Sequence, residues 1–375
     1  MTRKRRLSLA APPPDPFGEH RPPAYRERFQ VLGGDFNFGI DSARLRALVR
    51  TAYSGLPPHQ FRTPVPQFWV RLLVSQAGRA RRAQKSEPPP MKPLAGGGFL
   101  AGVVGRATFV SVSPEQRTAM IVISRDMLRY AYHLRYELIE FAVYVLAARA
   151  QGLVPLHAGC IGSGKQGILL IGPSGAGKST LVVHALLSGL DLLAEDSVLI
   201  NPEDMRATGV ANFVHLRRDS LRFLTRLDRE ALLAKSSVIR RRSGVSKLEI
   251  DLRHSRFPLA AAPLAIRALV FLSSRRAGRR PLMTPLSTPV ALKRLAASQR
   301  YAAHQAGWSK FIEHASRLPA YELQRGTRPG DAVEEVSALI REGLRPAGRA
   351  AHASEMALRA QNAPQVLGIN DRSPP

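Results

Sequence analysis

Cysteine is almost missing from this sequence: Cys160 is the only one among 375 residues. One cysteine excludes an intramolecular disulfide, and a chain of this size without disulfides is typical of a cytoplasmic protein. The basic first residues, MTRKRRLSLAAPPPDPFGEH, are followed by no apolar run of the length that a secretion signal needs. The sequence therefore predicts a cytoplasmic location.

Long hydrophobic runs are missing as well. The best membrane-spanning candidate is Leu138 to Ala148, which is too short to cross a bilayer. Charged residues interrupt or flank this run, namely Glu137, Glu140 and Arg149. We therefore predict a buried helix at this position and no membrane partner.

Acidic residues are scarce: 28 Asp and Glu stand against 55 Lys and Arg, and the formal charge is +27. Such an excess could steer acidic partners such as nucleic acid. The basic clusters are scattered, however, and no zinc-finger spacing, RNP-like aromatic pattern or basic region with heptads accompanies them. We expect solvated faces and loops at these clusters, and we predict no nucleic-acid partner. They are Arg3–Arg6, Arg79–Arg82, Arg240–Arg242 and Arg275–Arg280.

The length of the chain and its hydrophobic content of 45% are sufficient for two domains with their own cores. Residues 1–25 and 344–375 are predicted to be disordered tails, the first of them basic, because their composition is polar and Pro-containing. Residues 26–150 have the pattern of a small α+β domain, and residues 151–343 that of an α/β catalytic domain. The smaller domain would either recognise a substrate or pair with a second copy of the chain in a homo-oligomer.

Few elements of residues 26–150 are defined by strong signals. The alternation in FNFGI predicts a half-buried strand. Ser42 or Asp41 is a suitable N-cap for the amphipathic helix that follows, and Gly55 would close that helix. A continuous helix is predicted from Met127 to about Ala150. Nothing in this region has the pattern of a catalytic site.

The most specific pattern in the chain is GPSGAGKS, which matches the phosphate-binding consensus G-x-x-x-x-G-K-[ST]. An apolar strand, GILLIG, runs into it and a helix, STLVVHALLSG, follows it, as a phosphate loop requires. Lys178 would neutralise the β- and γ-phosphates of ATP, and the Ser179 hydroxyl would ligate Mg²⁺. The predicted nucleotide-binding residues are Gly172, Pro173, Ser174, Gly175, Ala176, Gly177, Lys178, Ser179 and Thr180.

Two further elements flank this loop in the sequence. The acidic pair Glu195–Asp196 follows the next apolar strand, and carboxylates at such a strand end can hold Mg²⁺ or accept a proton from a hydroxyl. An ordinary charged turn between two strands is the alternative. His157 precedes the loop in VPLHAG, where a satisfied core histidine is the alternative to a catalytic one.

The order and spacing of these elements resemble one family. From His157 to Ile200 the chain is similar to the catalytic core of HPr kinase/phosphorylase and, more closely, to the wider group of HPr-kinase-related proteins. The shared features are a His-containing strand, a hairpin into the phosphate loop, and an acidic pair 17 and 18 residues after Lys178. The resemblance implies an α/β fold with a P-loop-containing, HPr-kinase-like catalytic domain built on a mixed sheet, preceded by the smaller α+β domain.

The resemblance also implies roles for individual residues. Glu195 would be the catalytic base that takes the proton from a seryl hydroxyl, with His157 beside it to tune the acidic pair. Asp196 would hold Mg²⁺ together with Ser179. Pro173 and Glu195 depart from the family, which has Asp at both positions, and the family's C-terminal signature is absent. These departures make HPr a weaker candidate than another protein or a peptide, such as the substrates of the peptide-tailoring kinases in this group.

The sequence is therefore compatible with two functions. The leading hypothesis is a serine kinase that uses Mg²⁺ and ATP to phosphorylate a hydroxyl of a protein or peptide. The second is an ATP-binding sensor or regulatory module without phosphoryl transfer, which Pro173 and Glu195 favour. A motor ATPase fits less well, because no LSGGQ-like segment is present and the acidic pair follows the loop too soon.

One basic stretch, SSVIRRRSGVSK between Lys235 and Lys247, is predicted to be a flexible loop. It would either be exposed to solvent or close over the transferred phosphate, since Arg stabilises the charge on a moving phosphoryl group.

Overall fold

The computed structural model describes residues 22–75, 87–253, 255–278 and 281–343. The described residues form two compact units. One unit comprises residues 22–29, 35–54, 67–75 and 87–146, and the other begins at residue 147 and also includes residues 30–34 and 55–66. The predicted tails fall mainly on residues 1–21 and 344–375, which lie outside the described residues, as do the clusters Arg3–Arg6 and Arg79–Arg82.

The first unit is built on one mixed sheet of seven strands. They are β1 (Tyr25–Val31), β2 (Gly34–Ile40), β3 (Gln67–Ser75), β4 (Met91–Gly96), β5 (Phe99–Val104), β6 (Thr108–Ser113) and β7 (Thr118–Ser124). Their order is β1-β2-β3-β7-β6-β5-β4. Strand β3 runs parallel to β2 and β7, whereas β4 to β7 form an antiparallel meander. Phe36, Phe38 and Ile40 of β2 are all buried, which confirms the predicted strand.

Helix α1 (Ala43–Tyr53) follows β2, as predicted. The Ser42 side chain accepts a hydrogen bond from the Leu45 N–H, so Ser42 is the N-cap of this helix. Gly55 lies just past the helix with a φ of +77°, a backbone conformation that favours glycine.

The helix predicted from Met127 to Ala150 is interrupted. A 3₁₀ turn (Met127–Arg129) and a short α2 (Ala131–His133) come first, then a π-helical segment (Leu134–Glu140), and finally α3 (Phe141–Gln151). Arg135 is buried and pairs with Glu140 at 2.8 Å, five residues further on, which matches the spacing of a π turn. A continuous α-helix would not place these two side chains in this register.

The apolar run Leu138 to Ala148 lies in the π-helical segment and α3. Leu138, Ala142 and Leu146 are fully buried, so the prediction of a buried helix is confirmed. None of the described helices combines the length and the apolar character that crossing a bilayer needs.

The second unit contains a nine-stranded mixed sheet and a three-stranded antiparallel sheet. Their strands are β8 (Val154–Leu156), β9 (Gly159–Ser163), β10 (Gln166–Ile171), β11 (Asp191–Ala194), β12 (Val198–Ile200), β13 (Arg206–Gly209), β14 (Phe213–Leu216), β15 (Ser236–Arg240), β16 (Ser246–Asp251), β17 (Leu264–Arg276), β18 (Met283–Leu286) and β19 (Ala320–Arg325). The larger sheet has the path β11-β9-β10-β17-β13-β12-β8, with β19 also beside β17 and β18 beside β19. An α/β architecture with mixed sheets is therefore present.

The strand directions of the larger sheet determine where side chains meet. β10 and β19 each run parallel to β17, while β9 runs antiparallel to both β10 and β11. Strands β10, β11, β17 and β19 therefore point the same way and end at one edge of the sheet. The two strands of LDLLAEDSVLI are β11 and β12, but they pair with β9 and with β8 and β13, respectively, and not with each other.

Helices cover both faces of this sheet. They are α4 (Lys178–Leu187), α6 (Thr288–Ser298), α7 (Trp308–Ala315) and α8 (Pro329–Gly343), together with a 3₁₀ turn at Ala302–His304. Helix α5 (Arg226–Leu233) follows a 3₁₀ turn at Arg218–Phe223 and contacts β15 of the three-stranded sheet. Residues of α4 and α8 share one buried cluster with Ile168 and Leu170 of β10, and residues of α6 and α7 share another with Leu169 and Ile171. A strand buried on both faces is hydrophobic throughout, which explains GILLI.

The prediction of a flexible loop between Lys235 and Lys247 is wrong. Most of this stretch is strand β15 and a tight hairpin into β16, and the Arg241 N–H donates to Val245 O at 3.0 Å. Gly244 makes the turn with a φ of +78°. The alternating pattern of SKLEID in β16 was the signal for a strand, and the arginine run concealed it.

Gly162 in β9 provides a test of how tightly the hairpin of β9 and β10 is packed. A Cβ on Gly162 would lie 2.1 Å from Gln166 O and 2.7 Å from a Leu264 methyl carbon, whereas a Cβ on Gly330 would meet nothing within 4 Å. We expect Gly162→Ala to lower the free energy of unfolding by about 1–3 kcal/mol, because β9 and β10 must separate. The control Gly330→Ala should leave it unchanged or slightly raised. Urea denaturation measures both, and equal midpoints for the two variants would contradict this packing.

Candidate active site

The glycine-rich loop joins β10 to α4, whose first residue is Lys178. The strand–loop–helix order that the sequence predicts is therefore present. Gly175 and Gly177 have φ values of +83° and +107°, which residues other than glycine rarely adopt. A Cβ on Gly172 would lie 3.0 Å from the backbone oxygen of Leu272. The two consensus glycines, Gly172 and Gly177, and Gly175 between them thus each have a steric reason.

The Lys178 ammonium lies inside this loop. Its Nζ donates to Gly172 O at 2.5 Å and is 3.4 Å from Pro173 O. Burial lowers the pKa of Lys178, while the charges of Asp196 and Glu195 act in the opposite direction. The loop therefore holds a cation next to two carboxylates.

Three predicted elements meet at one edge of the larger sheet. The loop follows β10 and the Glu195–Asp196 pair follows β11, and both strands end at this edge. His157 precedes β9, which begins at the same edge because it runs antiparallel to β10. The structure thus brings together the loop, the acidic pair and His157, which are separate in the sequence.

Glu195 is buried, and hydrogen bonds occupy both of its oxygens. Oε1 accepts a short hydrogen bond from the Ser179 hydroxyl. Oε2 accepts from the backbone N–H of His215 at 3.2 Å and from its ring Nδ1 at 3.1 Å. Burial raises the pKa of Glu195, but His215 above all, with help from Ser179 and Lys247, outweighs it and leaves the pKa below its usual value. Glu195 is therefore held as a carboxylate.

Asp196 is the more accessible member of the acidic pair. Its side chain is 29% exposed, and its Oδ1 lies 3.3 Å from Nδ1 of His157, whose side chain is 53% exposed. His157 is therefore not a buried core residue, and the alternative of a satisfied core histidine is excluded. A carboxylate and an imidazole in contact and open to solvent can accept a proton from a bound hydroxyl.

The backbone of His157 is fixed by a side chain from α6's end. The buried Gln299 accepts from the His157 N–H at 2.8 Å through Oε1 and donates to the His157 carbonyl at 3.1 Å through Nε2. One amide thus satisfies both backbone groups of a residue between two short strands. Gln299 lies 142 residues away in the sequence, and sequence analysis did not identify it.

Behind Glu195 lies a second buried pair. Nε2 of His215 is 3.1 Å from Oε1 of Glu249, the residue opposite it in the β14–β16 pairing. Burial lowers the pKa of His215, but its hydrogen bonds to Glu195 and Glu249 outweigh that effect and raise it. Because both ring nitrogens face carboxylates, His215 is a buried imidazolium that orients Glu195.

The other residues of the loop have separate environments. Pro173, Ser174 and Gly175 are exposed and Ala176 is buried. The Thr180 hydroxyl lies 3.0 Å from the Ser220 hydroxyl. Arg325, at the end of β19, donates to Gly175 O at 2.5 Å and so contacts the loop from a neighbouring strand.

The oxygen donors next to Lys178 suit a hard cation. The Ser179 hydroxyl and the carboxylates of Glu195 and Asp196 are the ligand types that Mg²⁺ prefers. In the described part of the chain no group of three or more His, Cys, Asp and Glu side chains forms a metal site. Mg²⁺ at nucleotide sites is usually bound by one or two carboxylates and the substrate phosphates, so this donor set fits it.

Sequence analysis missed four residues that contact the site: His215, Glu249, Gln299 and Arg325. A weak signal existed for two of them. His215 lies in the otherwise apolar strand FVHL and Glu249 between the apolar Leu248 and Ile250, and a buried charged residue normally has a partner. No local pattern marks Gln299 or Arg325, because each reaches the site only through the tertiary fold.

Removal of the Gln299 amide tests whether it holds His157 in place. We expect Gln299→Ala to lower the free energy of unfolding by about 1–3 kcal/mol, since two buried backbone groups lose their partner. Amide hydrogen exchange of the segment around His157 should become faster. Gln305→Ala is a matched control because that side chain only donates to Tyr301 O at the surface. Unchanged exchange around His157 in Gln299→Ala would show that the segment is fixed by other contacts.

Comparisons with known proteins give little further information. No model of a known protein family matches the sequence, and no curated protein matches it. Among solved structures, the HPr(Ser) kinase/phosphatase from Coxiella burnetii is similar to this chain, with 14% sequence identity and a TM-score of 0.27. The match covers 55% of this chain and 94% of the other. At this level of similarity, function has to be argued from the side chains of the site.

Proposed function

We propose that this protein is a kinase that uses Mg²⁺ and ATP to phosphorylate the hydroxyl of a serine in a protein or peptide. The observation that carries the proposal is the position of the Asp196–His157 pair at the same sheet edge as the Gly172–Ser179 loop. A nucleotide bound by the loop would present its last phosphate next to a group that accepts protons. Phosphoryl transfer needs this combination of positioning and charge.

The loop supports the nucleotide end of the proposal. Its glycines let backbone N–H groups face a phosphate, and α4 adds the positive end of its dipole. Lys178 would exchange its two carbonyl acceptors for oxygens of the β- and γ-phosphates. These contacts are electrostatic and do not depend on the base, so they explain binding of a nucleotide and not yet a choice among nucleotides.

The contact between Ser179 and Glu195 supports a metal position between them. In P-loop enzymes the loop Ser or Thr and a carboxylate from a later strand hold Mg²⁺ together. Glu195 is already bonded to the Ser179 hydroxyl and is fixed as a carboxylate by His215. Bound Mg²⁺ would neutralise charge on the β- and γ-phosphates.

Accessibility favours Asp196 over Glu195 as the proton acceptor. Glu195 is 6% exposed and both of its oxygens accept hydrogen bonds, whereas Asp196 is open to solvent and contacts His157. The roles of the two acids are then exchanged relative to those implied by the family resemblance. Glu195 would lie on the metal side, and Asp196 with His157 would lie on the acceptor side.

In the proposed reaction, each bond that forms is matched by one that breaks, and Asp196 takes up the proton that is released. The acceptor oxygen forms a bond to the γ-phosphorus while its proton passes to the Asp196 carboxylate. The bond between the γ-phosphorus and the oxygen of the β-phosphate breaks, and ADP leaves. The products are a phosphate ester and ADP. The similarity of residues 157–200 to HPr-kinase-related proteins supports a seryl hydroxyl as the acceptor.

Loss of the loop lysine tests the nucleotide part of the proposal. We expect wild-type protein to bind Mg·ATP in calorimetry and Lys178→Met to bind it at least about 10-fold more weakly, because a charge-assisted contact to phosphate is lost. Lys293→Met, which removes an exposed lysine on α6, serves as the control and should bind normally. Equal affinities for wild type and Lys178→Met would contradict nucleotide binding at this loop.

A transfer assay with γ-labelled ATP and a library of serine-containing peptides distinguishes the roles of Glu195 and Asp196. We expect Asp196→Asn to reduce labelling by about 10²–10⁴-fold with little change in Mg·ATP affinity, as is usual for loss of a general base. Glu195→Gln should instead raise the Mg²⁺ concentration needed for half-maximal labelling. The reverse pattern would restore the assignment of Glu195 as the base. Equal labelling by wild type and both variants would exclude transfer at this site.

An ATP-binding sensor is the second candidate, and the hydrogen bonds that close off Glu195 favour it. Pro173 in the loop favours it as well. This function predicts Mg·ATP binding that Lys178→Met weakens, with no labelling of any peptide by the wild type. The two experiments together therefore distinguish the sensor from the kinase.

A further inference from the structure

The three-stranded sheet has one apolar and one charged face. Val214, Leu216, Leu248 and Ile250 of β14 and β16 belong to the buried cluster under α4. His215 and Glu249 alternate with these residues and therefore lie on the opposite face. Lys247 is two residues before Glu249 on β16, so it lies on the charged face too.

The charged face is fixed against the acidic pair. His215 donates to Glu195 and faces Glu249, both at 3.1 Å, which sets the distance of β14 and β16 from the end of β11. Two residues of a strand span about 7 Å, so the Lys247 backbone is one such step from Glu249. A lysine side chain has the length to extend from there toward the active carboxylates.

The Lys247 ammonium is half-buried, and none of the described residues makes a hydrogen bond or an ion pair with it. Burial lowers the pKa of Lys247, Glu195 and Asp196 raise it, and the cations Arg241 and Arg217 lower it. The same two carboxylates raise the pKa of Lys178. Lys178 on α4 and Lys247 on β16 therefore both lie within the electrostatic field of one acidic pair.

A half-buried ammonium without a bonded partner is unfavourable unless an anion approaches it. In the proposed reaction the γ-phosphate is the anion that comes next to Asp196, and it carries more charge than the α- or β-phosphates. Cations at this position stabilise the charge that spreads over the moving phosphoryl group. An added cation that reaches only the γ-phosphate would let the site distinguish ATP from ADP.

We infer that Lys247 is a second nucleotide-binding cation, which contacts the γ-phosphoryl group from the side of β16. The inference rests on the proposed function. The new element is the role of the three-stranded sheet, which would recognise the γ-phosphate of ATP. The loop would recognise the phosphates that ATP and ADP share. Lys247 would be the residue of this sheet that contacts the bound triphosphate.

Calorimetry with two probes tests the inference in the full-length protein. Mg·ADP and Mg·AMP-PNP, a non-hydrolysable triphosphate, are titrated into wild type, Lys247→Met, Lys247→Arg and the surface control Lys293→Met. We expect Lys247→Met to weaken Mg·AMP-PNP binding by about 10-fold or more and to leave Mg·ADP binding within about twofold. Lys247→Arg should keep most of the affinity for Mg·AMP-PNP, and Lys293→Met should match the wild type.

The Mg·ADP titration also reports whether each variant has folded with an intact loop. Equal weakening of both nucleotides by Lys247→Met, or no weakening of either, would overturn the assignment of Lys247 while leaving nucleotide binding by the loop in place. If wild type binds neither nucleotide, the proposed function fails and the inference fails with it.

Discussion

A carboxylate that is almost fully buried must be paired, because the protein interior strongly disfavours an isolated charge, and Glu195 meets this requirement with groups from two neighbouring elements. The Ser179 hydroxyl at the start of α4 occupies one of its oxygens, and the backbone and ring of His215 on β14 occupy the other. The helix that follows the loop and the three-stranded sheet are therefore tied to the end of β11. Loss of either partner would leave a buried charge exposed to the low dielectric of the core.

The pairing of Glu195 also divides the site into two sides. In the proposed function, Ser179 and Lys178 would lie on the nucleotide side, where a metal and phosphates would replace hydrogen-bonding partners that the protein itself supplies. Asp196 and His157 lie on the open side, where a hydroxyl can approach. His215, held between Glu195 and Glu249, fixes the position of Glu195 between these two sides.

Much of this site could be predicted from local sequence, and the remainder depends on register between distant strands. The loop and its flanking elements follow from the spacing of GPSGAGKS, and the place of Glu195 and Asp196 follows from their position after a strand. Whether Glu195 or Asp196 is buried depends on how β14 packs, which no local pattern encodes. The hairpin from Ser236 to Asp251 was missed because its arginines and Gly244 resemble a loop. The π-helical segment was missed because apolar periodicity does not show that Arg135 pairs with Glu140, five residues further on, a spacing that a regular α-helix does not bring together.

The most direct test of this account is a crystal structure with AMP-PNP and Mn²⁺, in which the anomalous signal locates the metal. We expect the triphosphate to lie on the Gly172–Ser179 loop and the metal to lie about 2 Å from the Ser179 hydroxyl oxygen, on the Glu195 side of the acidic pair. The γ-phosphate should then face Asp196. Nucleotide density away from the loop, or a metal that does not contact Ser179, would contradict it.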